Sequence, residues 1–383
     1  MATVPAGPWV LVIGCHRSGT SAVTGALVAL GLQGVDAADR IEHTASNPEH
    51  WESASATQYS EDLLAGLGGA WDAPPPAADE PLLPDPDGEC PDPAAVLSAA
   101  YPGPGPIVWK DPRACLLLPY WRSVLPGPLA AVLVWREPLA VARSLHTRDG
   151  MSLVDGLALW ERYNRSAVSG LQGVDTYVLD YASVLDDPTT ALGALVTWLG
   201  GLEQFAGTAD GWDVDAATAV IDPQLRHESG DGDDEVLGLY DGHQAVADWL
   251  TDHAGPHAPL ADEAPGPTSP WPEILLADRR ELAEVRRVAK SAQDAFYDMR
   301  GQTGRANQAA VEARATLEAL VRSREAQLAS ARHEAHDLRY EVEGERMRVE
   351  GLRAELDRVL SSTSWTVTKP LRAVVARVTS GRG

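Results

Sequence analysis

Cysteine and cationic side chains are scarce in this chain, and each scarcity excludes something. The 383 residues hold three cysteines, Cys15, Cys90 and Cys115, which are odd in number, scattered, and form no Cys-x-x-Cys pair. Neither a disulfide framework nor a cysteine-based zinc site is supported. No run reaches the roughly 18 apolar residues that a membrane span needs. No basic, apolar and small-residue leader opens the sequence, so a reducing cytoplasm is the expected compartment. Positive charge is short too: 55 Asp+Glu against 31 Lys+Arg leave a formal charge of −24. That balance argues against a nucleic-acid partner held by its phosphates. The shortage is concentrated in residues 1–270, with 38 acids, 11 bases and a single lysine, Lys110. The acids are accounted for by genome bias or solubility. In a lobe so poor in cations, the few that remain are expected where an anion must be held.

Order is written in short apolar runs. Trp9–Ile13, Ile107–Trp109, Ala130–Trp135 and Thr176–Leu179 read as strands, separated by helix-like stretches such as Ser21–Leu32, Pro138–Leu145, Leu153–Leu171 and Thr189–Leu199. Fully apolar strands alternating with helices predict an α/β fold with a parallel sheet covered on both faces. A Pro-, Asp- and Gly-rich excursion is predicted over 73–106. A Pro/Gly-rich linker over 255–272 is expected to close a first domain at residue 254. The composition then shifts to Ala, Arg, Glu and Leu. Val321, Leu328, Ala335, Val342, Val349 and Leu356 recur every seventh residue, offset by four from Leu317, Arg324, Ala331, Leu338, Glu345, Leu352 and Val359. Two such stripes predict a coiled-coil helix over about 314–360 within a helical region 273–360, and hence a homo-oligomer. Gly301 and Gly304 are expected to separate it from an earlier helix starting near Glu273.

Between the first strand and its helix lies Gly14-Cys-His-Arg-Ser-Gly-Thr-Ser21. Its glycines match the spacing of the phosphate-binding loop GxxxxGK[ST], and Ser21 takes the hydroxyl position, but Thr20 replaces the lysine. Backbone amides at such a turn, helped by the helix N-terminus, still suit a phosphate. Without that lysine, and with no evident acid placed to hold Mg²⁺, triphosphate hydrolysis loses its main charge stabiliser. The alternative is a βα turn with no ligand; Arg17, inside the turn, favours an anion.

Arg17-Ser18-Gly19-Thr20-Ser21 resembles the 5′-phosphosulfate-binding loop of sulfotransferases that use 3′-phosphoadenosine 5′-phosphosulfate (PAPS). A second element of that family is an Arg at a strand end followed eight residues later by a helical Ser, both on the 3′-phosphate. Arg136 and Ser144 stand at that spacing. Leu179-Asp-Tyr181 with Asp187-Pro188 is similar to a further family segment and brings in Tyr181. Trp109-Lys-Asp-Pro-Arg113 resembles a block of bacterial members, and Arg226 resembles the basic loops that cover the nucleotide. The resemblance implies a P-loop-like nucleotide-binding domain over 1–254 and transfer of a sulfuryl group to a hydroxyl acceptor, with no metal required. Thr20 and the loop amides would hold the 5′-phosphate. Arg17 would stand where the family's catalytic lysine stands, and its role would be purely electrostatic, because arginine does not donate a proton near neutrality. Lys110 would clamp the sulfuryl oxygens; the alternative is an ion pair with Asp111. Arg136 has the alternative of a salt bridge with Glu137 or Asp111. Asn47-Pro-Glu-His-Trp-Glu52 resembles a segment that supplies the base, here Glu52 first and His50 second.

Beyond the coiled coil, Ser361–Arg372 looks like an ending of bacterial cell-surface glycan enzymes. With Lys369, Arg372 and Arg377, the tail 361–383 could dock on a membrane surface or a biosynthetic partner; a helical cap is the alternative. A carbohydrate or glycolipid acceptor is the corresponding expectation. Rival readings are a P-loop kinase-like nucleotide transferase, a non-catalytic coiled-coil scaffold with a degenerate first domain, and a glycosyltransferase, for which no DxD follows a strand.

Overall fold

In the computed structural model, residues 4–5, 7–41, 50–76, 92–103, 105–125, 127–221, 242–300 and 307–362 are described. Five strands form one sheet in the order β2-β1-β3-β4-β5: β1 Trp9–Ile13, β2 Ile107–Lys110, β3 Leu129–Trp135, β4 Asp175–Asp180 and β5 Gly255–His257. The first four pair in parallel, as their uniformly apolar runs predict. Alternation splits their side chains between two cores. Trp9, Leu11, Ile13, Trp109, Leu133 and Trp135 face one helical layer, while Val10, Val12, Val108, Val132, Val134 and Leu179 face the other.

Helix α1, Thr20–Leu30, follows β1 directly, and α2, Ala54–Gly66, precedes β2. The excursion predicted over 73–106 contains an ordered helix, α3, Pro93–Ala100, started by the Asp92 side chain accepting from Ala94 N; 77–91 lie outside the described residues. Helix α4, Ala114–Val124, follows β2, and α5, Pro138–Asp149, and α6, Leu153–Gly170, follow β3. After β4 come α7, Tyr181–Asp186, α8, Pro188–Gly201, and α9, Val214–Ala219; α10, Gly242–Asp252, precedes β5.

Two expectations are corrected. The linker predicted over 255–272 opens as β5, antiparallel to β4 through Thr176↔His257, Tyr177↔Pro256 and Val178↔Gly255. Pro256 is tolerated because β5 lies at the sheet edge, where a missing N–H costs no ladder bond. The first compact unit also does not close at residue 254. It runs through Asn307, because α11, Trp271–Arg300, packs on α6 and buries Leu275 and Leu276.

The second unit, Gln308–Gly383, is described as far as residue 362. Its described residues belong to α12, Asn307–Ser361, a 55-residue helix spanning about 80 Å at 1.5 Å per residue. Helices α11 and α12 are separate elements, with 301–306 between them outside the described residues. Along α12 the seam positions Leu338, Val342, Leu352 and Leu356 are each more than half exposed. Among the described residues no helix is long and apolar enough to cross a membrane.

Candidate functional site

The site is built at the carboxyl ends of β1, β2 and β3, where the loop 14–19 leads into α1. Two glycines are dictated by close approach. A Cβ on Gly14 would stand 2.0 Å from the Val134 carbonyl oxygen, so β3 passes directly behind the loop. Gly19 has φ +91°, and a Cβ there would stand 2.2 Å from the Tyr181 ring. Tyr181 thus lies flat against the loop backbone, placed there by the first turn of α7. Arg17 adopts a left-handed backbone with φ 71°, uncommon for a side-chain-bearing residue and a feature of functional turns.

On one flank of the loop, Arg17, Arg136 and Ser144 come together. Arg17 Nε donates to Ser144 Oγ at 2.9 Å, and Arg136 Nη1 reaches the Arg17 carbonyl at 3.4 Å. Arg136 does not pair with Glu137, whose carboxylate instead accepts from the Leu139 and Ala140 amides and starts α5. Arg143, next to Ser144, is half-buried. The sequence expects Arg17 at the reacting end; its guanidinium is instead turned to Ser144.

On the other flank, Lys110 at the end of β2 supplies an ammonium. Its Nζ donates to Ser21 Oγ at 3.1 Å and pairs with Glu52 Oε1. The alternative pairing with Asp111 is not the one formed, since Asp111 Oδ1 takes Arg113 at 3.2 Å. Arg113 also engages Glu52 Oε2 at 3.3 Å and Glu61 at 2.5 Å. Lys110, Glu52 and Asp111 are all buried. Burial pushes the Glu52 carboxyl up, but Lys110 and Arg113 outweigh it and leave Glu52 below its ordinary range. Burial dominates at Asp111 and raises it. Asp111, Glu52 and Glu61 together hold the Arg113 guanidinium more firmly protonated than usual, against its own burial.

Two loop side chains have buried polar atoms without a partner among the described residues: His16 Nε2 and Ser18 Oγ. The His16 ring is wedged between Trp71, at 4.6 Å between centroids, and Tyr163, at 5.5 Å. Burial first, then Arg113, Arg148, Lys110 and Arg17, keep this imidazole well below its usual value and therefore neutral. His16 and Arg113 are the residues that sequence reasoning passes over. Arg113 closes the Lys-Asp-Pro-Arg block after β2, and that position was its signal; nothing in the sequence marks His16.

The remaining predicted residues divide. His50 is half-buried, two positions before Glu52. Thr20 is buried at the first turn of α1 and its carbonyl accepts from Thr24 Oγ1. Arg226 lies outside the described residues, as do Asn47, Glu49, Asp231–Asp234 and the tail from 363.

The arrangement offers a loop with unfilled polar atoms, flanked on one side by the Arg17 and Arg136 guanidinium groups and on the other by Lys110 and Arg113 ion-paired with Glu52, Asp111 and Glu61. No protein-family description matches the chain, and no curated protein does. A solved structure similar to it is the sulfotransferase domain from the curacin biosynthetic pathway, at 12% identity and a TM-score of 0.33, covering 64% of this chain and 98% of that one. The likeness is distant.

Proposed function

We propose that the chain is a sulfotransferase that moves a sulfuryl group from PAPS to a hydroxyl acceptor, on a P-loop-like first domain. The observation that carries this reading is the gathering of scarce cations on both sides of one glycine-bounded loop: Arg17 and Arg136 with Ser144 on one side, Lys110 with Ser21 on the other. In this reading Arg136, Ser144 and the reoriented Arg17 grip the 3′-phosphate by charge-assisted bonds. Ser18, Thr20 and the loop amides hold the 5′-phosphate, with Tyr181 as the wall behind Gly19 and Arg226 as a cover. Lys110 stabilises negative charge spreading over the sulfuryl oxygens.

In the transfer itself, a bond forms from the acceptor oxygen to sulfur as the bond from sulfur to the 5′-phosphate oxygen breaks. The acceptor proton passes to Glu52 or His50. That both Glu52 oxygens already hold cations favours His50 as the proton acceptor, with Glu52 fixing Lys110. The acceptor is proposed to be a carbohydrate or glycolipid, and a second copy of the chain is proposed to cover the exposed heptad stripe of α12, within residues 314–360. The basic tail is proposed to dock on a membrane surface or biosynthetic partner.

One observation favours a rival triphosphate transferase: Lys110 brings an ammonium to the loop from a different strand, close to where the missing lysine would act. Calorimetry separates the two. We expect 3′-phosphoadenosine 5′-phosphate to bind more tightly than ATP with Mg²⁺, and Arg136→Ala to weaken that binding about 10- to 100-fold, as expected for one lost charged hydrogen-bonding group. Preference for the triphosphate would support the rival, and binding of neither would point to a scaffold.

A further inference from the structure

The segment 70–76 is a tight strap. Ala70 and Ala73 exchange backbone hydrogen bonds at 2.8 and 3.2 Å, and a Cβ on Gly69 would stand 2.5 Å from Pro75 N. Its outward carbonyls are captured in series by side chains from two helices. Tyr163 Oη donates to the Trp71 carbonyl at 2.7 Å, and Arg162 Nη2 to that of Pro75 at 3.2 Å, both from α6. From α11, Arg279 Nε donates to the Asp72 carbonyl at 2.7 Å and Arg280 Nη1 to that of Pro74 at 2.8 Å. Arg279 also pairs with the Asp72 carboxylate at 2.7 Å and with the buried Asp155 of α6 at 3.4 Å. Such a concentration of donors on one short loop fixes its backbone rather than merely covering a core.

What the strap carries is Trp71. The indole packs on the His16 ring of the anion loop on one side, and the Arg148 guanidinium lies 5.1 Å from its centroid. We propose that Arg279 is a positioning residue that sets the anion loop from a distance: by clamping Asp72 it seats Trp71 on His16 and so holds residues 14–19 in their binding geometry. Helix α11 is thereby a working part of the site, although it follows the last strand and leads towards the heptad segment. The functional consequence rests on the proposed reading of the loop; the mechanical claim does not, since it is tested without nucleotide.

Hydrogen exchange on the full chain, read by peptide mass, is the test. Arg279→Ala should speed exchange in peptides covering 70–76 and also 14–21 by about tenfold or more, the scale of a lost charged hydrogen-bonding group, with β3 unchanged. Asp72→Asn, a milder change, should do the same to a smaller extent and covers the case in which Arg279→Ala fails to fold. Acceleration confined to 70–76, or spread equally over β3, would overturn the proposal. Weaker binding of 3′-phosphoadenosine 5′-phosphate by the variant would link the effect to the site, whereas failure of the wild-type chain to bind it would count only against the sulfuryl-transfer reading.

Discussion

Glu52 and Lys110 provide the sharpest energetic test of the site. Lys110 is 3% exposed and Glu52 7%, so neither charge has water to fall back on. In Glu52→Gln the ammonium loses its counter-charge and keeps, among the described residues, neutral acceptors such as Ser21 Oγ at 3.1 Å. Stripping one partner from a buried pair costs about 3–5 kcal/mol, because the other charge stays in a poorly polarisable site. In Lys110→Met the carboxylate keeps Arg113 at 3.3 Å, so the loss should fall near the lower end of that range. The double variant leaves Arg113 with Asp111 and Glu61 and strands no charge. Its cost should therefore fall short of the sum of the singles by about 2–3 kcal/mol. Urea unfolding of the four proteins at neutral pH measures this coupling. A value under about 0.5 kcal/mol, typical of exposed pairs, would refute the buried-pair reasoning.

The same pair fixes a pH dependence. Glu52 is held below its ordinary value of 4.5, so the unfolded chain binds the proton more readily than the folded one. Its stabilisation is complete above that ordinary value and is lost as pH falls through the lower folded value. Glu52→Gln lacks this component, so wild type and variant should converge in stability as acid is added below about pH 4.5. A difference that stays constant would contradict the assignment.

Three further outcomes are expected. His16, buried neutral, is the opposite type of group: the unfolded chain takes a proton below the ordinary value of 6.5 and the folded chain does not. Wild type should therefore lose about 1.4 kcal/mol more per pH unit than His16→Gln as pH falls below that value, until the folded imidazole itself protonates; parallel unfolding curves would contradict it. Gly19→Ala should destabilise by about 1–3 kcal/mol through its left-handed backbone and its clash with Tyr181, and a Tyr181→Ala background should relieve only the steric part, as read by thermal melts. Deleting 312–383 should lower the number of copies per particle, taken from the light-scattering mass divided by the chain mass, if the heptad stripe pairs copies of the chain; an unchanged copy number would remove that proposal.

The sheet was legible because β1, β2, β3 and β4 are short runs buried on both faces, which leaves the pattern little freedom. β5 was not. Gly255-Pro-His257 carries none of the usual strand residues, and its pairing with Thr176–Val178 is imposed by chain return to an open sheet edge. The start of α11 and the separate helix α12 were visible from composition. The docking of α11 was not, because the partners of Arg279 and Arg280, among them Asp72, Pro74 and Asp155, lie far away in sequence and are brought to them only by the fold.

The anion loop shows a different limit. The resemblance to the sulfotransferase motifs brought Arg17, Arg136 and Ser144 together, and their places at a strand end and a helix start are where the structure gathers them. It could not say which way a long side chain turns. The backbone of Arg17, at φ 71°, accompanies a guanidinium that meets Ser144, and the ammonium beside Ser21 comes from β2 instead. A short motif therefore marks where charged side chains gather, while the local backbone and the neighbouring strand decide which way each one turns. That division is why Arg17→Ala and Lys110→Met are not interchangeable probes: under the proposed sulfuryl-transfer reading, the first should lower affinity for 3′-phosphoadenosine 5′-phosphate in calorimetry and the second should lower turnover, and equal effects of both on affinity would contradict that reading.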